Sequence, residues 1–187
     1  MLAVTPTSIL SNSATTAILT WNFNSGSEAF NYLATGEQVV LTYVVRATDS
    51  NGTPTSGTRN VIITITGTND APVITSNGGA ATASISLAET LTAVTTVTST
   101  DPEGTARTYS IVAGDDGAKF SIVAGTGVLT FVSAPDFEAP TDSNLDNVYV
   151  VTVRASDGSL SDTQTISVTI TDVVSTLVVD TTTDNND

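Results

Sequence analysis

The feature that most constrains this chain is a short acidic joint, residues 67–72 (GTNDAP), which separates two stretches of β-strand sequence. The first stretch ends in VIITIT at 61–66, and a near-copy, ISVTIT at 166–171, ends the second. Within the joint, Pro72 fixes its own φ and restricts Ala71 to extended conformations, so the chain leaves the joint stiffly. The sequence therefore predicts two strand-rich units joined by a stiff linker.

An internal repeat supports this division, because VVRATD at 44–49 recurs as TVRASD at 152–157, roughly 100 residues later, which is typical of tandem domains. In the second unit, runs of β-branched and aromatic residues alternate with Gly, Asp, Asn and Pro. Strands are predicted at 73–76, 82–88, 91–99, 107–112, 119–123, 128–132, 148–156 and 163–171. Such spacing indicates an immunoglobulin-like sandwich. The fold class is all-β: tandem immunoglobulin-like Greek-key β-sandwiches, the first one truncated.

Composition excludes several functions. The chain has 19 acidic and 5 basic residues, a net charge of −14, and neither cysteine nor histidine. It has no cationic surface for nucleic acid or anionic membranes, and its apolar runs are too short for membrane insertion. Disulfides, zinc fingers and imidazole catalysis are excluded. Only carboxylate pairs remain for catalysis, and the sequence implies no catalytic pocket, so no enzyme activity is expected. The start, MLAVTP, lacks the regions of a signal peptide, which favours a fragment of a longer exported protein.

Strand counting sorts the acidic residues of the second unit into two groups at opposite ends. At the joint, Asp101, Glu103 and Asp157 gather with Asn69 and Asp70 of the linker, and these five form the joint group. The far-end group is Glu89, Asp136, Glu138 and Asp172. Calcium takes six to eight oxygen ligands, and crowded carboxylates repel one another unless a cation lies between them. Each group therefore predicts a Ca²⁺ site.

A competing interpretation exists for each acid, since Asp at a turn commonly caps its own loop backbone. On this basis Asp115 and Asp116 are predicted to form a turn, and Asp142 and Asp146 a solvated loop. Trp21 is predicted to lie in the core, with a sugar-stacking role as the alternative.

The second unit resembles a bacterial cadherin-like domain. The resemblance lies in LAE at 87–89, DPEG at 101–104, YSI at 109–111, FSI at 120–122, GVL at 127–129, DFE at 136–138 and ASDG at 155–158. It implies calcium ligands at both ends of the domain. At the far end, Val174 and Ser175 stand where Asn69 and Asp70 would repeat, so the far-end site is expected to be weaker.

The first unit resembles the C-terminal part of a VCBS repeat, found in large secreted adhesins of the RTX type. TWNFNSGSEAF at 20–30, LATGE at 33–37 and ITGTNDAP at 65–72 carry this resemblance. Aligned through the internal repeat, Glu28 falls opposite Asp136, which adds Glu28 to the joint group. The expected domains are 1–70, the VCBS-type repeat; 71–173, the cadherin-like sandwich; and 174–187, an acidic tail or the start of another module.

These expectations together describe a calcium-binding structural and adhesion module of a bacterial cell-surface or secreted protein, with calcium stiffening the joint. Its expected partners are neighbouring repeats of the same chain and cell-surface proteins or glycans. The alternative function is a carbohydrate-binding accessory module with Trp21 as the stacking group.

Overall fold

The structure is a computed structural model that describes residues 2–5, 18–48, 56–112 and 115–174. The chain divides into two compact units, Met1–Asn69 and Asp70–Asp187. No helix within the described ranges is long and apolar enough to cross a lipid bilayer.

Among its described residues, unit 1 has two antiparallel strand pairs. Strands β1 (Leu2–Thr5) and β2 (Thr20–Phe23) form one pair, and β3 (Gln38–Thr48) and β4 (Ser56–Thr66) form the other. Leu33 is buried, and a Cβ on Gly67 would collide with the Leu33 carbonyl oxygen, so this position requires glycine. Trp21 is 44% exposed on β2, so the prediction that it is a core residue is wrong.

Unit 2 contains nine strands among its described residues. They are β5 (Val73–Ile74), β6 (Thr82–Ala88), β7 (Ala93–Thr96), β8 (Ser99–Thr100), β9 (Thr108–Val112), β10 (Phe120–Ile122), β11 (Val128–Phe131), β12 (Val148–Ser156) and β13 (Ser161–Thr171). Two short 3₁₀ turns cover Ser76–Gly78 and Gly117–Lys119. The prediction of an all-β fold is confirmed.

Two sheets of unit 2 share one core. One has the order β6-β13-β12-β9, and the other β10-β11-β7, while β5 pairs with β8. Residues alternate along β12 and β13 so that every second side chain is buried, as the period of a strand with one covered face requires. Phe131 of β11 packs edge-on against Tyr149 of β12, with ring centroids 5.1 Å apart. Strands β6 and β13 are parallel, and the other paired strands are antiparallel.

The loop after β11 is more ordered than its polar sequence indicates. Asp142 is only 3% exposed, and its Oδ2 accepts a hydrogen bond from the backbone N–H of Asp146 at 2.9 Å. Asp116 is equally buried, and its two oxygens accept the N–H groups of Ser143 and Val150. The prediction that Asp142 is solvated is therefore wrong, because its carboxylate replaces water as the acceptor for the loop backbone. Asp146 is exposed, as predicted.

Candidate metal centre

Three carboxylates of the far-end group converge in unit 2. Glu89, Glu138 and Asp172 each offer one oxygen, and these three oxygens lie within 4.8 Å of one another. Glu89 is buried, whereas Glu138 and Asp172 are exposed. The fourth member, Asp136, lines the same cleft of about 540 Å³ together with Glu89 and Glu138.

The parallel pairing of β6 with β13 explains why two of these residues meet. Ala88 is the register partner of Thr171, so the next residue on each strand, Glu89 and Asp172, leaves the sheet at the same edge. The backbone N–H of Glu89 continues the ladder by donating to the Thr171 carbonyl at 3.1 Å. Glu138 arrives separately, on the loop that follows β11.

The Glu89 carboxylate is held by two backbone donors. Its Oε2 accepts the N–H of Phe137 at 3.0 Å, and its Oε1 accepts the N–H of Val173 at 2.9 Å. These hydrogen bonds, the one from Phe137 first, lower the pKa of Glu89 in spite of its burial. Glu89 therefore carries its negative charge at neutral pH and remains available to a cation.

Glu138 shows the opposite shift. A hydrogen bond from its own backbone N–H acts to lower its pKa, but partial desolvation and repulsion from Glu89, Asp172 and Asp136 outweigh that bond, so the pKa is raised. The cluster therefore destabilises its own negative charge. A bound cation would remove this repulsion, as expected for oxygen ligands of a hard divalent ion.

The joint group shows a different sign of a cation site. Asp101 and Glu103 follow β8, and each has one hydrogen-bonded oxygen: Asp101 Oδ1 accepts Thr105 N–H, and Glu103 Oε1 accepts Asp70 N–H, both at 3.0 Å. Their second oxygens, Asp101 Oδ2 and Glu103 Oε2, are buried and receive no hydrogen bond. Buried carboxylate oxygens without a donor are costly, and a metal ion is a partner that fits them.

The remaining predicted ligands lie at turns or in unit 1. Asp157 caps the turn between β12 and β13, with Oδ1 accepting the N–H groups of Ser159 and Leu160 at 2.6 and 2.7 Å. Glu28 lies in unit 1, where its Oε1 accepts Phe30 N–H at 3.1 Å, and Asn69 is the last residue of that unit. Their membership of the joint group stays a prediction.

Two residues outside the predicted set hold the ends of the domain. Asp162 Oδ2 accepts the N–H of Ile74 at 2.8 Å and so fixes β5 against β13. A lone acid in the Ser/Thr-rich strand β13 was a signal that could have found it. Asn147 donates from Nδ2 to the Phe137 carbonyl at 2.9 Å. Its place in an Asp/Asn-rich loop gave no such signal, because loops of that composition are usually solvated.

Comparison with known proteins identifies this architecture. The family described as Cadherin domain matches residues 83–171. Human protocadherin Fat 1 is 33% identical over 144 residues, which cover 73% of this chain and 3% of that protein.

Solved structures show the same fold at lower sequence identity. A cis-dimer structure of protocadherin gammaB7 EC3-6 has a TM-score of 0.55 at 21% identity, over 91% of this chain and 41% of that one. Mouse cadherin-23 EC22-24 has a TM-score of 0.51 at 16% identity, over 92% and 54%. These likenesses confirm the immunoglobulin-like sandwich, and the chain spans only part of the proteins it matches. Residues 83–171 therefore match the family of cadherin domains, which are adhesion modules known to bind calcium.

Proposed function

We propose that this chain is an extracellular calcium-binding adhesion module, in which Ca²⁺ binds at the two ends of the cadherin domain. The observation that carries this proposal is the convergence of Glu89, Glu138 and Asp172 from three distant segments to within 4.8 Å. A calcium ion would neutralise the negative charge of these carboxylates, with oxygen ligands at about 2.3–2.6 Å. Asp136 is the fourth proposed far-end ligand.

The second part of the proposal is a joint site that stiffens the connection between the two units. The proposed ligands are Asp70, Asp101, Glu103 and Asp157 of unit 2, with Glu28 and Asn69 of unit 1. The buried, unpartnered oxygens of Asp101 and Glu103 support it. We propose that this site binds calcium more tightly than the far-end site, because the far-end linker carries Val174 and Ser175 in place of an amide and a carboxylate.

We further propose that the module belongs to a bacterial cell-surface or secreted adhesin, with unit 1 as the end of a VCBS repeat. The sequences at 20–30 and 67–72 support this setting. Its proposed partners are neighbouring repeats, cell-surface proteins and glycans. A carbohydrate-binding accessory role for Trp21 is not favoured, since the family matched is one of adhesion modules. No catalytic role is assigned to any residue.

An NMR titration with Ca²⁺ tests both sites in one experiment, because amide signals report each end separately. We expect the amides of Glu89, Glu138 and Asp172 to shift as one set and those of Asp70 and Glu103 as another. Glu89→Gln should abolish the far-end response, and Glu103→Gln the joint response. Asp115→Asn removes the same charge from an exposed turn and should change neither. Absence of both responses in the unmodified chain would overturn the proposal.

Small-angle scattering tests the stiffening of the joint. Calcium should change the scattering curve relative to EGTA, and Glu103→Gln should remove that change while Glu89→Gln preserves it. Identical curves with calcium and with EGTA would contradict a role at the joint, even if calcium binds.

A further inference from the structure

We propose that Asn147 is a positioning residue for the far-end calcium site, acting through the backbone segments that carry Glu138 and Asp172. This inference rests on the proposed function. Asn147 itself is not proposed as a ligand. It lies at the end of the loop that precedes β12, within hydrogen-bonding distance of two segments that bring carboxylates to the cluster.

Asn147 makes one hydrogen bond to each of those two segments. Its side-chain Nδ2 donates to the carbonyl of Phe137 at 2.9 Å, directly before Glu138. Its backbone carbonyl accepts the N–H of Ile170 at 2.9 Å, two residues before Asp172. One residue thus ties together the backbones that carry two of the three clustered carboxylates.

Asn147 and Glu89 both form hydrogen bonds with the backbone of Phe137. Phe137 donates its N–H to Glu89 Oε2 and accepts Asn147 Nδ2 at its carbonyl. Because the backbone N–H and the backbone carbonyl of Phe137 are both hydrogen-bonded, the peptide leading into Glu138 has little freedom to rotate. Glu138 is an exposed side chain, so this backbone restraint is what keeps it near Glu89 and Asp172.

The backbone of Asn147 is held in a left-handed conformation. Its φ is +65°, a left-handed value that Asn tolerates better than most residues. Its N–H donates to Oδ1 of the buried Asp142 at 3.3 Å. The loop that contains Asp142, predicted to be solvated, therefore fixes the position of Asn147. Outer-shell residues of this kind typically change metal affinity by about 10- to 100-fold when removed.

The test replaces Asn147 by glycine, which accepts the left-handed φ and removes the side chain with its amide. In the full chain, a Ca²⁺ titration followed by NMR should show the far-end amides responding at about 10-fold or higher calcium concentration. The joint amides should titrate as before. Asn144→Gly is the matched control: Asn144 is an exposed asparagine of the same loop that bonds only to Asp146 among the contacts described, and its loss should leave both sites unchanged.

A second variant and a metal-free measurement separate positioning from general loss of structure. Asp142→Asn removes the charge that holds Asn147 N–H and should weaken the far-end response in the same direction, by a smaller factor. In EDTA, Asn147→Gly should speed hydrogen exchange of the Phe137 amide without changing that of β12 amides. An unchanged far-end titration in Asn147→Gly overturns the role of Asn147 alone. Absence of a far-end response in the unmodified chain overturns the proposed far-end site, and this inference with it.

Discussion

At the scale of single residues, the far-end cluster contains two glutamates whose protonation is biased in opposite directions. Backbone donors stabilise the charge of Glu89 and lower its pKa, whereas partial desolvation and repulsion from three neighbouring carboxylates raise the pKa of Glu138. A pKa raised on folding means that the charged form of Glu138 is less stable in the folded chain than in the unfolded one, so above the titration range of the carboxyl group this repulsion destabilises the metal-free fold. The fold thus stabilises the charge of Glu89 and destabilises the charge of Glu138.

This difference predicts that Glu138→Gln separates stability from binding. Without metal at pH 7, the variant should unfold at a higher temperature than the unmodified chain, because it loses a destabilising charge. With calcium, its gain in unfolding temperature should be smaller, because it has lost a ligand. Differential scanning calorimetry in EDTA and in calcium measures both effects.

The exposed Asp115→Asn substitution controls for net charge, and should leave the calcium-induced gain intact. A Glu138→Gln chain that is less stable than the unmodified chain in EDTA would contradict the repulsion argued for this cluster.

At the scale of elements, the turn between β10 and β11 depends on one glycine. Gly127 is buried with φ +71°, and a Cβ there would fall on the carbonyl oxygen of Val97. The same close approach lets Val97 N–H donate to the Gly127 carbonyl at 2.8 Å. Gly125, two residues earlier in the turn, has open space around it. The two glycines therefore have different structural roles within one turn.

Gly127→Ala should destabilise the chain by about 2–4 kcal/mol, through backbone strain and displacement of β7. Gly125→Ala should change the free energy of unfolding by less than about 0.5 kcal/mol. Urea unfolding monitored by circular dichroism compares them. Equal effects at the two positions would show that the contact with Val97 is relaxed easily.

A buried amide joins the segment after β5 to β13. Gln164 is 1% exposed; its Nε2 donates to the carbonyls of Ser76 and Ala80, and its Oε1 accepts Asn77 Nδ2. Gln164→Leu should cost about 3 kcal/mol, because the Ser76 and Ala80 carbonyls and the Asn77 amide lose their partner in part-buried hydrogen bonds. Thr163→Val, on the exposed face of the same strand, should be nearly neutral. Thermal unfolding in EDTA distinguishes them, and a stable Gln164→Leu chain would mean that water replaces the amide.

The strands were largely predictable, because β-branched runs bounded by turn residues have few other solutions. The predicted bounds of β6 and β12 match the structure, whereas the predicted strand 91–99 is split into β7 and β8. Strand counting also anticipated that Glu89, Glu138 and Asp172 share one end, since parity depends only on strand number. It could not anticipate Asp142 or Asn147, because their contacts join residues through loop geometry that has no periodic pattern.

At the scale of the whole molecule, repulsion between negative charges lowers the stability of the metal-free chain. The net charge of −14 is spread over a protein with only 5 basic residues, so folding brings like charges together. Part of this charge lies in the far-end cluster. Ions in solution screen such repulsion over about 10 Å at 0.1 M salt.

The urea midpoint of the metal-free chain should therefore rise when NaCl is increased from about 0.05 to 0.5 M. The rise should be smaller with calcium bound, since the ion has already neutralised the crowded carboxylates. Fluorescence-monitored unfolding in EDTA and in calcium provides the comparison. A midpoint that falls with salt in EDTA would contradict self-repulsion as the dominant long-range term.

The parallel pairing of β6 and β13 has a mechanical consequence. Because Thr82–Ala88 runs alongside residues 165–171 in the same direction, the strand near the start of the domain and the strand that ends it point towards the same edge. A pull on the two ends of this domain would slide the paired strands along each other and load all seven residue pairs together. Bonds loaded in parallel fail together, whereas those of a peeled hairpin fail one by one. The fold thus provides a tether that resists tension.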